Sequence, residues 1–191
     1  RTDVSVLFHN YSASLIRACL DMYMPKASQQ IPNFKQHGLH ADDWVANCGV
    51  CMLNMREIRK TALMEESIQL LIEHTEDMSC LDQTAINIAF KGKIDFLPTE
   101  WNVFPRAIEK KWISPVESIQ PFASDVFTNP KIVHFVGGSK PWTRSENTSF
   151  SDEWRTDLYN SGWFRSEIEL FVWVLKNRWN KKTLWQIWKW R

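Results

Sequence analysis

Val45-Ala46-Asn47-Cys48-Gly49-Val50-Cys51-Met52-Leu53-Asn54-Met55 is uncharged and apolar except at Asn47 and Asn54. A short apolar run of this kind predicts a buried strand. The elements that follow it set the fold class. Thr61 to Glu73 reads as a helix, because Met64, Ile68 and Ile72 recur every fourth residue with Leu71 beside them. Asp82 to Phe90 reads as a second helix, capped by Asp82, with Ala85, Ile86, Ala89 and Phe90 as its apolar stripe. Lys91-Gly92-Lys93 ends that helix, and Ile94 to Leu97 is a short strand.

Further out the pattern weakens. Val4 to Phe8 is a β-prone run, and Ser12 to Tyr23 fits either a helix or a strand around Ala18 to Tyr23. Pro25 to Asp43 is loop-like, and Pro98 to Asn129 is a long irregular stretch. Lys131 to Val136 is expected to be a strand that turns at Gly137-Gly138. A polar loop over Thr143 to Asp152 then leads to a helix from about Phe164 to Arg178. Strands alternating with helices give an α/β class.

The chain has 191 residues, 44% of them apolar and 24% charged, which is the composition of a globular domain and not of a disordered chain or a fibre. Its longest apolar run is Leu170 to Leu175, far short of the roughly twenty residues of a membrane-spanning helix. Arg1-Thr2-Asp3-Val4 leads into no apolar segment of the kind a signal peptide needs. Net charge is +1, but it is unevenly spread. The first 169 residues carry 17 basic against 22 acidic side chains, and Leu170 to Arg191 carry six basic and no acidic ones. Five of the eleven tryptophans lie in that same tail. Such a terminus suits an anionic membrane surface or an acidic partner. With the net positive charge confined to it, no nucleic-acid partner is expected.

Cys48-x-x-Cys51 resembles half a zinc site, but no second pair follows, and the surrounding apolar residues make these thiols core components. His37-x-x-His40 with Asp42 and Asp43 has metal-like spacing, yet it sits in a predicted loop and reads as a solvated polar segment. G-x-G-x-x-G, Walker, H-E-x-x-H and G-x-S-x-G motifs are absent.

Three segments carry candidate chemistry. Asn47 opens the apolar strand; its amide either caps a turn or holds a polar ligand at the strand's end. Asp82-Gln83 opens a helix, where a cap explains the acid but not the amide; a helix start also brings polar groups and a positive dipole to a sheet's rim. In Ile132-Val133-His134-Phe135-Val136-Gly137-Gly138-Ser139-Lys140-Pro141-Trp142, an imidazole, a glycine turn and an ammonium follow one another. A metal-bound diphosphate would need such groups: the ring as a metal ligand, the turn amides and the lysine against phosphate oxygens.

In this order the segments resemble the retaining glycosyltransferases of family 8, the galactosyl- and glucosyltransferase group related to glycogenin. Asn47-Cys-Gly-Val matches the family's F-N-A-G-V, with Ala46 in place of the aromatic. Asp82-Gln83-x-x-x-Asn87 matches D-Q-D-x-x-N, Leu97-Pro-x-x-Trp101-Asn102 matches L-P-x-x-W-N, and His134-Phe-x-Gly137-x-x-Lys140-Pro-Trp142 matches H-F-x-G-x-x-K-P-W. The resemblance implies a GT-A-like mixed sheet flanked by helices, as a partial domain over 1–165, followed by a helical, basic, Trp-rich tail over 166–191. Family members begin with a nucleotide-binding half ending in a D-x-D metal motif. Thr2-Asp3-Val4 resembles the close of that motif, with Arg1 where its first aspartate would stand. The chain is therefore expected to be N-terminally truncated or misassembled, or else a degenerate relative without that half.

The resemblance also implies roles. A UDP-sugar would be the donor, and Mn2+ or Mg2+ the cofactor, with Asp3 and His134 as metal ligands. Asn47 and Asp82 would bind donor-sugar hydroxyls, Gln83 would lie near the anomeric carbon, and Gly137 and Lys140 would face the phosphates. Gln83 and Asp82 are the catalytic candidates: front-face attack by the acceptor beside Gln83, or a covalent route through Asp82. The product would be a hexose transferred with retention to a saccharide or lipid-linked acceptor. The tail would rest on a membrane surface, making the protein cytoplasmic at the inner face of the membrane, or Golgi-lumenal in a eukaryote. The competing reading is a non-catalytic carbohydrate- or membrane-binding remnant of the same fold.

Overall fold

The computed structural model describes residues 2–9, 14–108, 129–138, 140–142, 150–166, 168–169 and 172–173. It divides into two compact units, Arg1–His134 and Phe135–Arg191. The first contains α1 (Val6–His9), β1 (Ile16–Leu20), α2 (Ala27–Gln30), β2 (Ala46–Leu53), α3 (Met55–Ile58), α4 (Leu63–Glu73), α5 (Asp82–Ala89), β3 (Ile94–Leu97) and α6 (Pro105–Ile108), with 3-10 turns at Thr75–Asp77 and Thr99–Trp101.

The sheet has the order β2-β1-β3, with β1 antiparallel to β2 and parallel to β3. The central strand resolves the ambiguity of Ser12 to Tyr23 in favour of a strand. Ile16 and Ala18 pack with Ala46, Ala89 and Phe90, beneath partly buried Leu63, Met64 and Leu70 of α4. Cys19, on the alternate side, packs with Leu7 of α1, Leu97 and Trp101. Neighbours on both faces remove the polar alternation that would have marked a strand in the sequence. Phe90 is fully buried at the end of α5, a burial that contributes about 1.5–3 kcal/mol.

The ladder between β1 and β2 is broken at one place. Ala18 pairs with Cys51, but the next residue, Cys19, pairs with Asn47. Cys48, Gly49 and Val50 therefore leave the ladder as a bulge, a device that re-aims side chains beside functional sites.

Several expectations are corrected. Val4 to Phe8 is not a strand: Asp3 accepts from the Ser5 N–H and hydroxyl, both at 2.8 Å, and so starts the α1 turn. Asp82 does not cap α5. Leu81 is the N-cap, at φ 49°, and Asp82 is the first helical residue, where its charge still complements the dipole. Lys131 to Val136 forms no extended strand. One parallel bridge joins Val133 to Val103, with Val103 N–H to Ile132 O at 3.0 Å and His134 N–H to Val103 O at 2.8 Å. Pro105, lacking an N–H, cannot continue that ladder. α2 lies within the stretch expected to be loop.

The second unit contains α7 (Ser151–Asn160), which the sequence reading missed by taking its start for the end of a polar loop. The expected helix from Phe164 is helical at 168–169 and 172–173. Residues 174–191, with all six basic residues of the tail, lie outside the described residues. Among the described residues no helix is long and apolar enough to cross a membrane.

Candidate active site

Three elements bring the polar residues of the first unit to one place. β1 ends at Leu20, and the next residue, Asp21, is buried at 4% exposure. β2 opens with Ala46-Asn47 beside it, and α5 delivers Gln83 from its first turn. The parallel strands β1 and β3 end toward this region, the usual place for ligands in an α/β sheet.

Asp21 is held by its own turn, accepting the N–H groups of Tyr23 and Met24 through Oδ1 at 2.8 and 2.9 Å. Its Oδ2 accepts from Asn47 Nδ2 at 3.1 Å and from Gln83 Nε2 at 3.0 Å. Asn47 Nδ2 also donates to Gln83 Oε1 at 2.9 Å, and the Cys48 N–H donates to the same oxygen at 3.1 Å. Asn47 Oδ1 accepts from the Gly49 N–H at 3.1 Å and from Asn102 Nδ2 at 2.9 Å. Asn102 Oδ1 lies 3.0 Å from His134 Nδ1. Asn87 fastens the assembly from behind: its amide bonds both the N–H and the C=O of Ala46, at 2.8 and 2.9 Å, and ties α5 to β2.

The β2 bulge gives this network its closest packing. A Cβ built on Gly49 would lie 2.1 Å from His134 Cε1, so only glycine leaves room for the imidazole. Phe104 supports the ring edge-on at 5.6 Å between centroids and an interplanar angle of 85°.

Asn47, Gln83 and His134, distant in sequence, are thus joined in one hydrogen-bonded group. Asp82 is adjacent in sequence but exposed, and it makes no hydrogen bond among the described residues. Its charge nonetheless reaches the bulge. The Cys48 thiol is pushed up to about 12 by burial first, then by Cys51 and Asp82. Cys51 is raised by burial and then Asp82, which fits core thiols and not reactive ones. Asp3 is exposed and caps the first turn, and its Ser5 hydrogen bonds hold its carboxyl below the usual range. Gly137 is at φ 71°, in the left-handed region, within the expected turn. Lys140 donates to the Phe135 carbonyl and lies 5.8 Å over the Trp142 ring. Gly137 and Lys140 belong to the second unit.

The His37-x-x-His40 pair does not act as one. His37 turns inward and lies 3.0 Å from Asp77, whose other oxygen accepts from Asn33 at 2.7 Å, while the His40 N–H bonds Asp43. The expected solvated loop is therefore half anchored. The sequence reading missed Asp21 and Asn102 as members of the central network. Asn102 was visible as the last residue of a quoted motif; Asp21, inside the ambiguous segment Ser12 to Tyr23, carried no signal.

The mixed sheet flanked by helices, with a polar network at the carboxyl ends of β1 and β3, is of the GT-A type by its likeness to solved glycosyltransferases. Solved structures agree on the fold. Over 87% of this chain and 59% of its own length, the galactosyltransferase LgtC, in complex with donor and acceptor sugar analogs, superposes with TM-score 0.67 at 19% identity. The WbbM bifunctional glycosyltransferase superposes with TM-score 0.68 at 18% identity, over 93% of this chain and 32% of its own. The sequence model described as "Glycosyl transferase family 8" matches residues 3–146, and the chain belongs to that family. Among curated relatives, General stress protein A of Bacillus subtilis (strain 168) is 29% identical over 110 residues, 56% of this chain and 38% of its own. Lipopolysaccharide 1,2-glucosyltransferase of Escherichia coli (strain K12) is 25% identical over 118 residues, 61% of this chain and 34% of its own. The chain thus spans little more than a third of the length of these curated relatives.

Proposed function

We propose that the chain serves sugar transfer: a hexose, galactose or glucose, passes from a UDP-sugar to a saccharide or lipid-linked acceptor with retention of configuration. The observation that carries this reading is the joining of Asn47, Gln83 and His134 through Asp21 and Asn102. The half-buried amide of Gln83 and the half-buried imidazole of His134, both fixed by that buried network, suit a polyhydroxylated donor next to a metal-bound diphosphate.

His134 suits a metal ligand, because a hydrogen bond from one ring nitrogen to a buried amide orients the other, the usual outer-shell arrangement of such histidines. Asp3 is the second ligand implied by the family motif. A divalent ion there, Mn2+ or Mg2+, supplies Lewis-acid neutralisation of charge on the departing diphosphate. Lys140 and the Gly137 N–H are assigned to the phosphate oxygens by motif alone. Asp82 binds sugar hydroxyls; Asn47, buried and with both amide hydrogens and both oxygen lone pairs taken by Asp21, Gln83, Gly49 and Asn102, holds its neighbours in place and has no group left for the sugar.

Gln83 lies near the anomeric carbon as a positioned dipole. Its Oε1 already accepts from Asn47 and from the Cys48 N–H, so neither lone pair is available to form a bond to carbon. That favours attack by the acceptor on the leaving-group face, with the acceptor proton passing to the phosphate oxygen. In the alternative route Asp82, whose carboxylate takes no hydrogen bond among the described residues, forms a glycosyl ester as the bond to the nucleoside diphosphate breaks, and the acceptor hydroxyl then displaces the carboxylate. The Trp-rich basic tail makes peripheral contact with anionic lipid, and removing its last twenty or so residues should abolish vesicle binding.

Calorimetry of the whole chain with UDP-galactose and UDP-glucose, with and without Mn2+, tests the reading. Metal-dependent binding is expected, with transfer or donor hydrolysis that falls about 10²-fold or more in His134→Ala and Gln83→Ala. Binding of saccharide or lipid alone, without nucleotide or metal, overturns it in favour of a non-catalytic module.

A further inference from the structure

The hydrogen bonds from Asp21 to His134 form a directional chain, because each link allows only one orientation of the next amide. A backbone N–H can only donate, so the Cys48 N–H fixes the Gln83 atom it meets as Oε1, an acceptor. The Asn47 amide group that faces both this oxygen and Asp21 Oδ2 must therefore be the NH2. The Gly49 N–H meets the other end of Asn47 and demands an oxygen there. The two constraints agree, so Oδ1 of Asn47 points at Asn102. Asn102 must then present its NH2 to Asn47, which leaves its own oxygen to His134. An oxygen at 3.0 Å from Nδ1 requires that Nδ1 carry the proton, which leaves the imidazole lone pair on Nε2. Asn102 is fully buried, with 0% exposure, so water does not substitute for either of its bonds.

We propose that Asn102, oriented by Asn47 and Asp21, is a positioning residue that locks His134 in the Nδ1–H tautomer. A neutral histidine free in water favours the opposite tautomer, with the proton on Nε2. The chain of amides thus holds ready the form whose Nε2 can ligate a divalent cation. The lock itself is a property of the metal-free protein; its use for a metal rests on the function proposed above.

The measurement is nitrogen-15 NMR of ring-labelled histidine in the whole, metal-free protein at a pH where His134 is neutral, with His134 assigned by its loss in His134→Gln. The wild type should show a pyrrole-like Nδ1 and a pyridine-like Nε2. Asn102→Leu, which keeps the volume but offers no acceptor, should shift His134 toward the Nε2–H form and lower Mn2+ affinity by about 10–100-fold. Asn102→Asp, which keeps an acceptor toward the ring, should restore the wild-type tautomer even though it loses the bond to Asn47. Both substitutions disturb the buried network, so a merely structural role would move stability in both and leave the tautomer the same in both. A wild-type Nε2–H resonance overturns the proposal with no variant needed, even if Asn102→Leu fails to fold. So does a folded Asn102→Leu that retains Nδ1–H. A locked tautomer in a protein that binds neither Mn2+ nor UDP-sugar sinks the sugar-transfer reading and leaves the lock standing.

Discussion

Replacing Gly49 with alanine tests the closest approach in the network. The new Cβ would lie 2.1 Å from His134 Cε1, 2.7 Å from Nδ1 and 2.8 Å from Nε2, where ordinary contact begins at 3.4 Å. Relief requires a displacement of about 1.3 Å between bulge and ring. The His134 backbone is held by its 2.8 Å bond to Val103, and the bulge by the bonds of Cys48 and Gly49 to Gln83 and Asn47. The ring is the part that can move, and a ring displaced that far forfeits the alignment of its bond to Asn102. Overpacking of this kind costs about 1–3 kcal/mol. A displacement near 1 Å at a reacting group costs about 10²-fold in rate. Urea denaturation should show the stability loss, and a radiolabelled donor assay should show turnover reduced by about that factor. Gly138→Ala is the stability comparator: among the described residues no atom lies within 4 Å of its Cβ, so the change should stay within about 0.5 kcal/mol. A folded Gly49→Ala with wild-type midpoint and wild-type turnover would refute the packing argument.

Three further outcomes are expected. Asn87→Leu leaves the buried N–H and C=O of Ala46 without side-chain partners and should cost about 2–4 kcal/mol in urea, with α5 losing amide-exchange protection first. The hydrogen bond from His37, then that from Asn33, holds the Asp77 carboxyl below its usual range. Its stabilisation is therefore present above the unfolded value near about 3.9 and is lost as pH falls through the folded value. The gap in urea midpoint between wild type and Asp77→Asn should close as pH falls through the carboxylate range; a gap independent of pH contradicts this. Finally, Cys48, pushed up to about 12 chiefly by burial, should resist alkylation at pH 8 in the native protein and react at once in denaturant. Rapid native labelling at that position would show an open bulge.

Periodicity and punctuation made much of the first unit legible. The spacing of Met64, Ile68 and Ile72 gave α4 to within two residues at its start, although Ile68 and Ile72 are exposed and Leu70 and Leu71 pack on the cores instead, and Ile94 to Leu97 matched β3 at both ends. Failures came where a contact from elsewhere overrode local pattern. Val4 to Phe8 has the composition of a strand, but Asp3 bends it into a turn. β1 could not be told from a helix, because a strand covered on both faces shows no alternation. Lys131 to Val136 had the pattern of a strand and found only Val103 as a bridging partner.

For the site, the linear sequence determined which chemical groups were available and, through four ordered motifs, their family. Asn47 and His134 could be named from it because each interrupts an otherwise apolar segment, and Gln83 because a helix cap accounts for Asp82 but not for the amide beside it. That Asp21 joins them, that Asn102 bridges Asn47 to His134, and that Gly49 must lack a side chain were decided only by tertiary structure. Hydrogen-bond direction and van der Waals exclusion act between atoms within a few ångströms of each other. The residues concerned are up to 113 positions apart in the chain, and the turn after β1, the bulge in β2, the start of α5 and the bridge between Val103 and Val133 bring them within that range.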